Sequence, residues 1–192
     1  MDINAFYSAE FDEHADVVKK TRDACADGFA ELLARCTQSV RHGGKIMFFG
    51  NGGSAADCQH LATELTIRYK TDRAPIAAVA LTTDTSALTA GGNDLGFENI
   101  FSRQIEAIGK PGDVAIGIST SGNSENVIRA LKTAQALDIV AAALGGKDGG
   151  KLVGIADPLI IVPSDTTARI QEMHIMLGQM LCGALELELG LV

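Results

Sequence analysis

Apolar positions follow two spacings along this chain, and their alternation predicts the architecture. From about Asp12 to His42 they recur at steps of three and four: Val17, Cys25, Phe29, Leu32, Leu33, Cys36 and Val40. That is the spacing of one helical face. Gly43-Gly44 closes the stretch with a C-cap signal. Five short, nearly continuous apolar runs follow, at Ile46–Phe49, Ile76–Leu81, Val114–Ile118, Ile139–Leu144 and Leu159–Val162. Runs of this kind read as strands buried on both faces. Helical spacing returns around them, at about Ser54–Tyr69, Thr85–Ala90, Phe97–Ile108, Ser124–Leu137, Lys151–Ile155 and Thr166–Leu189. The pattern predicts an α/β fold: a five-stranded parallel sheet with helices on both faces, a flavodoxin-like three-layer sandwich. No linker, low-complexity tract or repeat interrupts it, so residues 1–192 are expected to form a single domain. Residues 1–42 form a helical N-terminal extension whose single apolar stripe needs a cover, and contacts between subunits are the expected one.

Two polar loops stand out against this pattern. Gly50-Asn51-Gly52-Gly53-Ser54 follows the first apolar run, and Ser119-Thr120-Ser121-Gly122-Asn123-Ser124 follows the third. A strand that ends in small residues and then starts a helix presents backbone N–H groups at the positive end of the helix dipole, where anions and above all phosphate bind. The second loop adds serine hydroxyls and no positive charge, which suits a phosphomonoester held by hydrogen bonds. In parallel sheets ligands bind beyond the carboxyl ends of the strands, where both loops fall. The pair points to a sugar-phosphate site.

Composition narrows the classes. Twenty-four acidic residues against sixteen basic ones give a formal charge of −8, which argues against nucleic acid or an anionic membrane surface as partner. No apolar stretch approaches the roughly 20 residues of a membrane span, and Met1-Asp2-Ile3-Asn4 does not open a signal peptide. Cys25, Cys36, Cys58 and Cys182 are scattered without a Cys-x-x-Cys pair. They read as small apolar fillers in a protein of the reducing cytoplasm.

The helix after the first loop holds the most specific chemistry. His60 and Glu64 are four residues apart and share one helical face. An imidazole and a carboxylate so placed can share a divalent metal, zinc before others, and the carboxylate can serve as a general base. An ordinary solvated ion pair has the same spacing. On the last helix, Gln171 and Gln179 are eight residues apart, a rotation of about 80°, and can face one cavity. Glu172 and His174 point elsewhere, so His174 reads as structural or surface. Gly50-Asn51-Gly52-Gly53-Ser54-Ala55 also fits the loose dinucleotide pattern, with Asp72 about twenty residues on. Asp72 lies among Lys70, Thr71 and Arg73 and not at a strand end, which weakens the nicotinamide reading.

These residues carry a family resemblance over nearly the whole chain. Gly50-Asn51-Gly52-Gly53-Ser54, Gln59-His60-Leu61 with Glu64-Leu65, and Ala80-Leu81-Thr82-Thr83-Asp84 form its first part. Gly92-Asn93-Asp94, the Ser119–Ser124 loop, Gly145-Gly146-Lys147-Asp148-Gly149-Gly150 and Arg169-Ile170-Gln171-Glu172-Met173-His174 complete it. The chain resembles the sugar isomerase (SIS) domain proteins, specifically the bacterial phosphoheptose isomerases. The resemblance implies a cytoplasmic homotetramer that interconverts sedoheptulose 7-phosphate and D-glycero-D-manno-heptose 7-phosphate, the entry step of heptose synthesis for lipopolysaccharide core or surface polysaccharide. It implies that Ser119, Thr120, Ser121 and Ser124 hold the phosphate. Asn51, Gly52, Gly53, Ser54, Asn93, Asp94 and Gln171 would contact the sugar, with Glu64 as catalytic base. The implied zinc ligands are His60, Glu64, Gln171 and the residue at 179.

At that last position the chain departs from the family, which has a histidine where Gln179 stands. A histidine titrates near neutrality and can protonate or polarise the substrate oxygen, whereas an amide can only donate a hydrogen bond or offer its carbonyl to a metal. Three explanations are open: a variant that uses metal or water instead, an inactivating change, or a paralogue that does not catalyse. The third has precedent in the initiator-associating adaptor proteins that bind DnaA and share the fold, and in sugar-phosphate-binding domains. Retention of His60, Glu64, Gln171 and the whole serine loop favours the isomerase.

Overall fold

The computed structural model describes residues 1–192. Its sheet has five parallel strands, β1 (Ile46–Gly50), β2 (Ala78–Ala80), β3 (Val114–Ser119), β4 (Val140–Gly146) and β5 (Leu159–Val162), in the order β2-β1-β3-β4-β5. The side chains of β1 and β3 are buried throughout, as continuous apolar runs require. The chain leaves β1 towards β2 on one side and resumes at β3 on the other. The carboxyl ends of β1 and β3 therefore flank the topological switch point, the crevice where such sheets bind ligands.

Helices cover both faces. On one lie α1 (Ile3–Ala24), α2 (Ala26–Arg41), α3 (Gly53–Thr66) and α7 (Thr167–Glu188), around a core that includes Leu32, Phe48, Leu61, Ile116 and Leu181. On the other lie α4 (Thr85–Asp94), α5 (Ile100–Ile108) and α6 (Glu125–Ala136), around Phe49, Phe101, Ile105, Val127 and Leu131. The expected three-layer sandwich is the observed one.

Several boundaries differ from expectation, each for a local reason. The N-terminal helix begins at Ile3, because the Asp2 carboxylate accepts hydrogen bonds from the N–H groups of Asn4 and Ala5, an N-cap. Cys25 divides the extension into two helices. The second strand shrinks to three residues: Pro75 has no N–H to give, and the Ile76 N–H goes to the Leu65 carbonyl at the end of α3. Helix α4 runs past Ala90 to Asp94. The expected helix at 151–155 is one 3-10 turn, Gly150–Leu152, whose apolar spacing serves to bury Leu152. The extension is also less free than expected. Val17, Thr21, Leu32 and Cys36 are buried against their own domain, and only the first turns of α1 keep apolar side chains exposed, at Ile3, Phe6, Tyr7 and Phe11.

Candidate active site at the switch point and the α3–α7 seam

The two polar loops meet across the switch point. Asn51, just after β1, and Asn126, in the first turn of α6, exchange amide hydrogen bonds of 2.9 and 2.8 Å. The Asn126 side-chain oxygen Oδ1 also accepts the Val127 N–H. Both polar ends of Asn51 are thus engaged, so its side chain ties the loops together. Below this tie β1 and β3 approach so closely that a Cβ on Gly50 would lie 2.8 Å from the Ile118 carbonyl.

Two helices start at this point without a side-chain cap. Gly52, at φ +56°, is the N-cap of α3 and has no side chain to offer. Ser124 is the N-cap of α6 but makes no side-chain bond to the helix; its hydroxyl accepts from Ser119 at 3.1 Å. The first N–H groups of a helix have no intrahelical partner, so both starts are free to face an anion. Helix α4, which begins on the same edge after β2, is capped by its own Asp84, which accepts the Ala87 N–H at 2.9 Å. The serine loop itself is held rigidly. The Asn123 N–H donates to Ser121 Oγ and its amide to the Ser121 carbonyl. Gly122, at φ +66°, touches the neighbouring loop so tightly that a Cβ would lie 2.0 Å from the Gly149 carbonyl. Glu125 puts a carboxylate in the first turn of α6, where an incoming anion would meet it. Arg129 bonds that carboxylate at 2.9 Å and holds it below the usual carboxylate range, with Lys151 and Lys132 adding to the effect.

The second part of the site lies lower, where α3 packs against α7. His60 Nε2 is 3.1 Å from Glu64 Oε1 and 2.5 Å from the Gln179 amide nitrogen. The Glu64 side chain is mostly buried and that of His60 half exposed. One imidazole nitrogen cannot suit both neighbours: with a proton it opposes the amide N–H, and without one it opposes the carboxylate. A cation among the three groups would relieve the conflict, as would a Gln179 amide turned so that its oxygen faces the ring. The donor set therefore fits a divalent ion, held by one imidazole, one carboxylate and one amide. The amide is a poor ligand and the seam holds no third His, Cys, Asp or Glu for the same ion, so these residues would hold it only weakly.

Gln171 also faces α3, but its amide lies 2.7 Å from where a Cβ on Gly53 would stand. That is the head of α3, about two turns above His60. The two glutamines thus share a helix face and not a point. Asn93 and Asp94 bond each other at 2.7 Å in the exposed last turn of α4, on the opposite face of the sheet from His60 and Glu64. His174 is fully buried and structural. Its Nε2 is 2.9 Å from the Gly145 carbonyl, and desolvation pushes its pKa down to about 4. Asp72 lies in the exposed loop before β2 and not at a strand end, as the weak dinucleotide match foretold.

Three residues escaped the sequence reading. Asn126 signals nothing until the loops are seen to meet. Asp57 stands three residues before His60 on the same helix, its carboxyl pushed up by partial burial and drawn back by His60; that spacing was visible. Arg73, in the loop after α3, has its side chain buried against the end of that helix and bonded to Glu186 of α7.

Comparison with known proteins shows the family. The SIS domain family matches residues 10–146. A phosphoheptose isomerase of Paramagnetospirillum magneticum is 58% identical over 186 residues, 97% of each chain. One of Aquifex aeolicus is 53% identical over 176 residues, 92% of each. Among solved structures, the phosphoheptose isomerase GmhA of Neisseria gonorrhoeae superposes with a TM-score of 0.90 at 44% identity, covering 96% of this chain and 98% of its own. The phosphoheptose isomerase of Francisella tularensis gives 0.94 at 32% identity, over 97% and 100%.

Proposed function

The chain belongs to the SIS-domain family, and from that premise we propose that it is a phosphoheptose isomerase, an aldose–ketose isomerase acting on sedoheptulose 7-phosphate. The observation that carries the proposal is the meeting of Glu64, His60 and Gln179 across α3 and α7, on the helix that leaves the first polar loop. Identities of 53–58% to isomerases over most of the chain support the same reaction. The adaptor reading finds no support among these relatives.

The phosphate is held by Ser119, Thr120, Ser121 and Ser124 together with the open N-terminus of α6, so an acidic protein binds a dianion through oriented dipoles. Asn51 keeps the second helix start, that of α3, in place beside it. Glu64 takes a proton from C1 of the ketose. The C–H electron pair becomes the C1–C2 double bond as the C2 carbonyl oxygen takes the proton of the neighbouring O1 hydroxyl, which gives the enediolate; the same carboxyl then returns its proton to C2 while O1 becomes the aldehyde oxygen. Gln179 cannot carry a proton, so its part is to hold an oxygen or an ion in place. His60, Glu64 and Gln179 would hold zinc, which when bound polarises the substrate oxygens. The amide in place of an imidazole makes that binding weaker.

Assembly as a homotetramer is the matching proposal for the uncovered surface. Ile3, Phe6, Tyr7 and Phe11 form an exposed apolar stripe on α1. An apolar groove near 300 Å³, lined by Val18, Phe29, Met173, Met176, Leu177 and Met180, continues it between α1, α2 and α7. Four free, buried cysteines suit a reducing cytoplasm, and the product would enter heptose synthesis for lipopolysaccharide core or surface polysaccharide. The test is an isomerase assay with sedoheptulose 7-phosphate on the chain as it stands and on Gln179→His. Turnover is expected in both, with kcat higher in the variant by about 10²–10⁴, the usual contribution of a general acid. Absence of turnover in both forms would refute the proposal.

A further inference from the structure

Arg73 and Glu186 form an ion pair whose side chains are 1% and 3% exposed. A buried pair of this kind adds little to stability over well-packed apolar residues, because both charges must be stripped of water. Its geometry says what else it does. Helix α3 ends at Thr66, which leaves the carbonyls of its last turn without intrahelical partners. Ile67 N–H serves Thr63. The carbonyls of Glu64 and Leu65 each accept from the Arg73 guanidinium at 2.7 Å, and a third bond of 3.1 Å goes to the Ala74 carbonyl. Arg73 Nε donates to Glu186 Oε1 at 2.8 Å, and the same oxygen accepts the Tyr69 N–H at 3.3 Å. A positive charge at a helix C-terminus is also favoured by the helix dipole.

One planar fork thus grips the backbone of Glu64 itself and ties it to α7. Glu186 lies seven residues beyond Gln179, two turns along the same helix and on the same side. Along this stretch the seam is drawn tight by small residues, one just before Gln179 and one between it and Glu186. A Cβ on Gly178 would lie 2.5 Å from Leu61, and one on Gly183 would lie 3.0 Å from the Tyr69 ring. Loose packing would let α3 slide along α7 and change the spacing of Glu64, His60 and Gln179. The Arg73–Glu186 clamp removes that freedom at the end of the helix where Glu64 sits.

We propose that Arg73, anchored by Glu186, is the positioning residue for Glu64 and sets the register of α3 against α7 at the catalytic cluster. This rests on the assignment of Glu64 as the base in the isomerase reading above.

The test compares kcat, KM and urea stability for wild type, Arg73→Met, Arg73→Lys, Glu186→Gln, Glu64→Gln and the double variant Arg73→Met/Glu64→Gln, with sedoheptulose 7-phosphate as substrate. Misplacement of a catalytic group by about 1 Å costs about 10² in rate. Arg73→Met is therefore expected to lower kcat at least about tenfold while KM stays within about twofold. Arg73→Lys recovers little, since an ammonium on a flexible stem cannot reproduce the fork. Glu186→Gln loses less, because its amide oxygen still accepts from Nε. In the Glu64→Gln background, removal of Arg73 has no further effect on kcat. The proposal is overturned if a folded Arg73→Met keeps wild-type kcat, or if its loss is equally large with and without Glu64. If Arg73→Met does not fold, Arg73→Lys and Glu186→Gln carry the same comparison, and wild-type kcat in both would overturn the proposal. Unchanged turnover in Glu64→Gln is a different failure. It would remove the base assignment, and the positioning role with it.

Discussion

The serine loop and the α3–α7 seam, which take different parts of one task in the proposed reaction, are built by opposite means. The loop is six consecutive residues whose backbone and hydroxyls are the proposed anion cradle. Its neighbours only hold it still, through the Asn51–Asn126 tie and the contact between Gly122 and Gly149. The seam has no local motif of its own beyond His60 and Glu64. Its third member, Gln179, is 119 residues away, and the spacing of all three depends on how two helices pack. A cradle made of backbone tolerates changes around it as long as the backbone path survives. A cluster made by packing changes whenever the packing does. Substitutions in the loop should therefore act on substrate binding, and those in the seam on turnover.

The sharpest way to break this contrast is to destroy the backbone path itself. Gly122→Ala puts a Cβ at 2.0 Å from the Gly149 carbonyl in a left-handed conformation. The combined left-handed and overpacking costs are about 2–5 kcal/mol. Calorimetry is expected to show weakened binding of sedoheptulose 7-phosphate, and urea unfolding a loss within that range. Wild-type affinity in this variant would mean that the serine loop is not the phosphate cradle.

The same contrast explains what was legible in the sequence. Buried parallel strands, the two loops and the pair His60–Glu64 are local patterns, and each lies where the sequence predicts it, the shortened second strand excepted. The serine loop is legible in full because its residues are consecutive. The rotation between Gln171 and Gln179 about α7 predicts that they face one cavity. Helical rise separates them, and the level at which each meets α3 is set by glycines at 53, 178 and 183 that no periodicity reveals. Arg73 looked like one charge in a polar loop, since its partners are backbone carbonyls and a glutamate 113 residues away. The N-terminal stripe was read correctly as amphipathic, but its partner is partly its own domain, and a helical pattern does not name what it packs against.

A smaller effect separates the two regions by pH. His174 joins α7, the seam helix, to β4 through the Gly145 carbonyl, with its Nδ1 buried and unpartnered. Its folded pKa of about 4 lies below the unfolded value, so between these values the unfolded chain binds the extra proton. The stability it contributes is complete above about pH 6.5 and declines as pH falls towards 4. The decline amounts to about 3 kcal/mol at most. Urea unfolding at pH 7 and at pH 4.5 checks this, and His174→Gln is expected to flatten the difference. An unchanged pH slope in that variant would mean that other groups carry the acid sensitivity.

The smallest effect is the most direct on the division of labour. Ser124 caps α6 without bonding it, and its hydroxyl accepts from Ser119, so replacement by alanine leaves the helix start and the backbone path intact. What is lost is one hydrogen bond to a charged phosphate, about 1.5 kcal/mol, or about tenfold in KM. If the loop only binds, kcat in Ser124→Ala stays at the wild-type value, because Glu64 and the seam are untouched. A fall in kcat with KM unchanged would show that the loop hydroxyls also act in the transition state. The separation between a binding loop and a reacting seam would then be wrong at the residue where the two are easiest to tell apart.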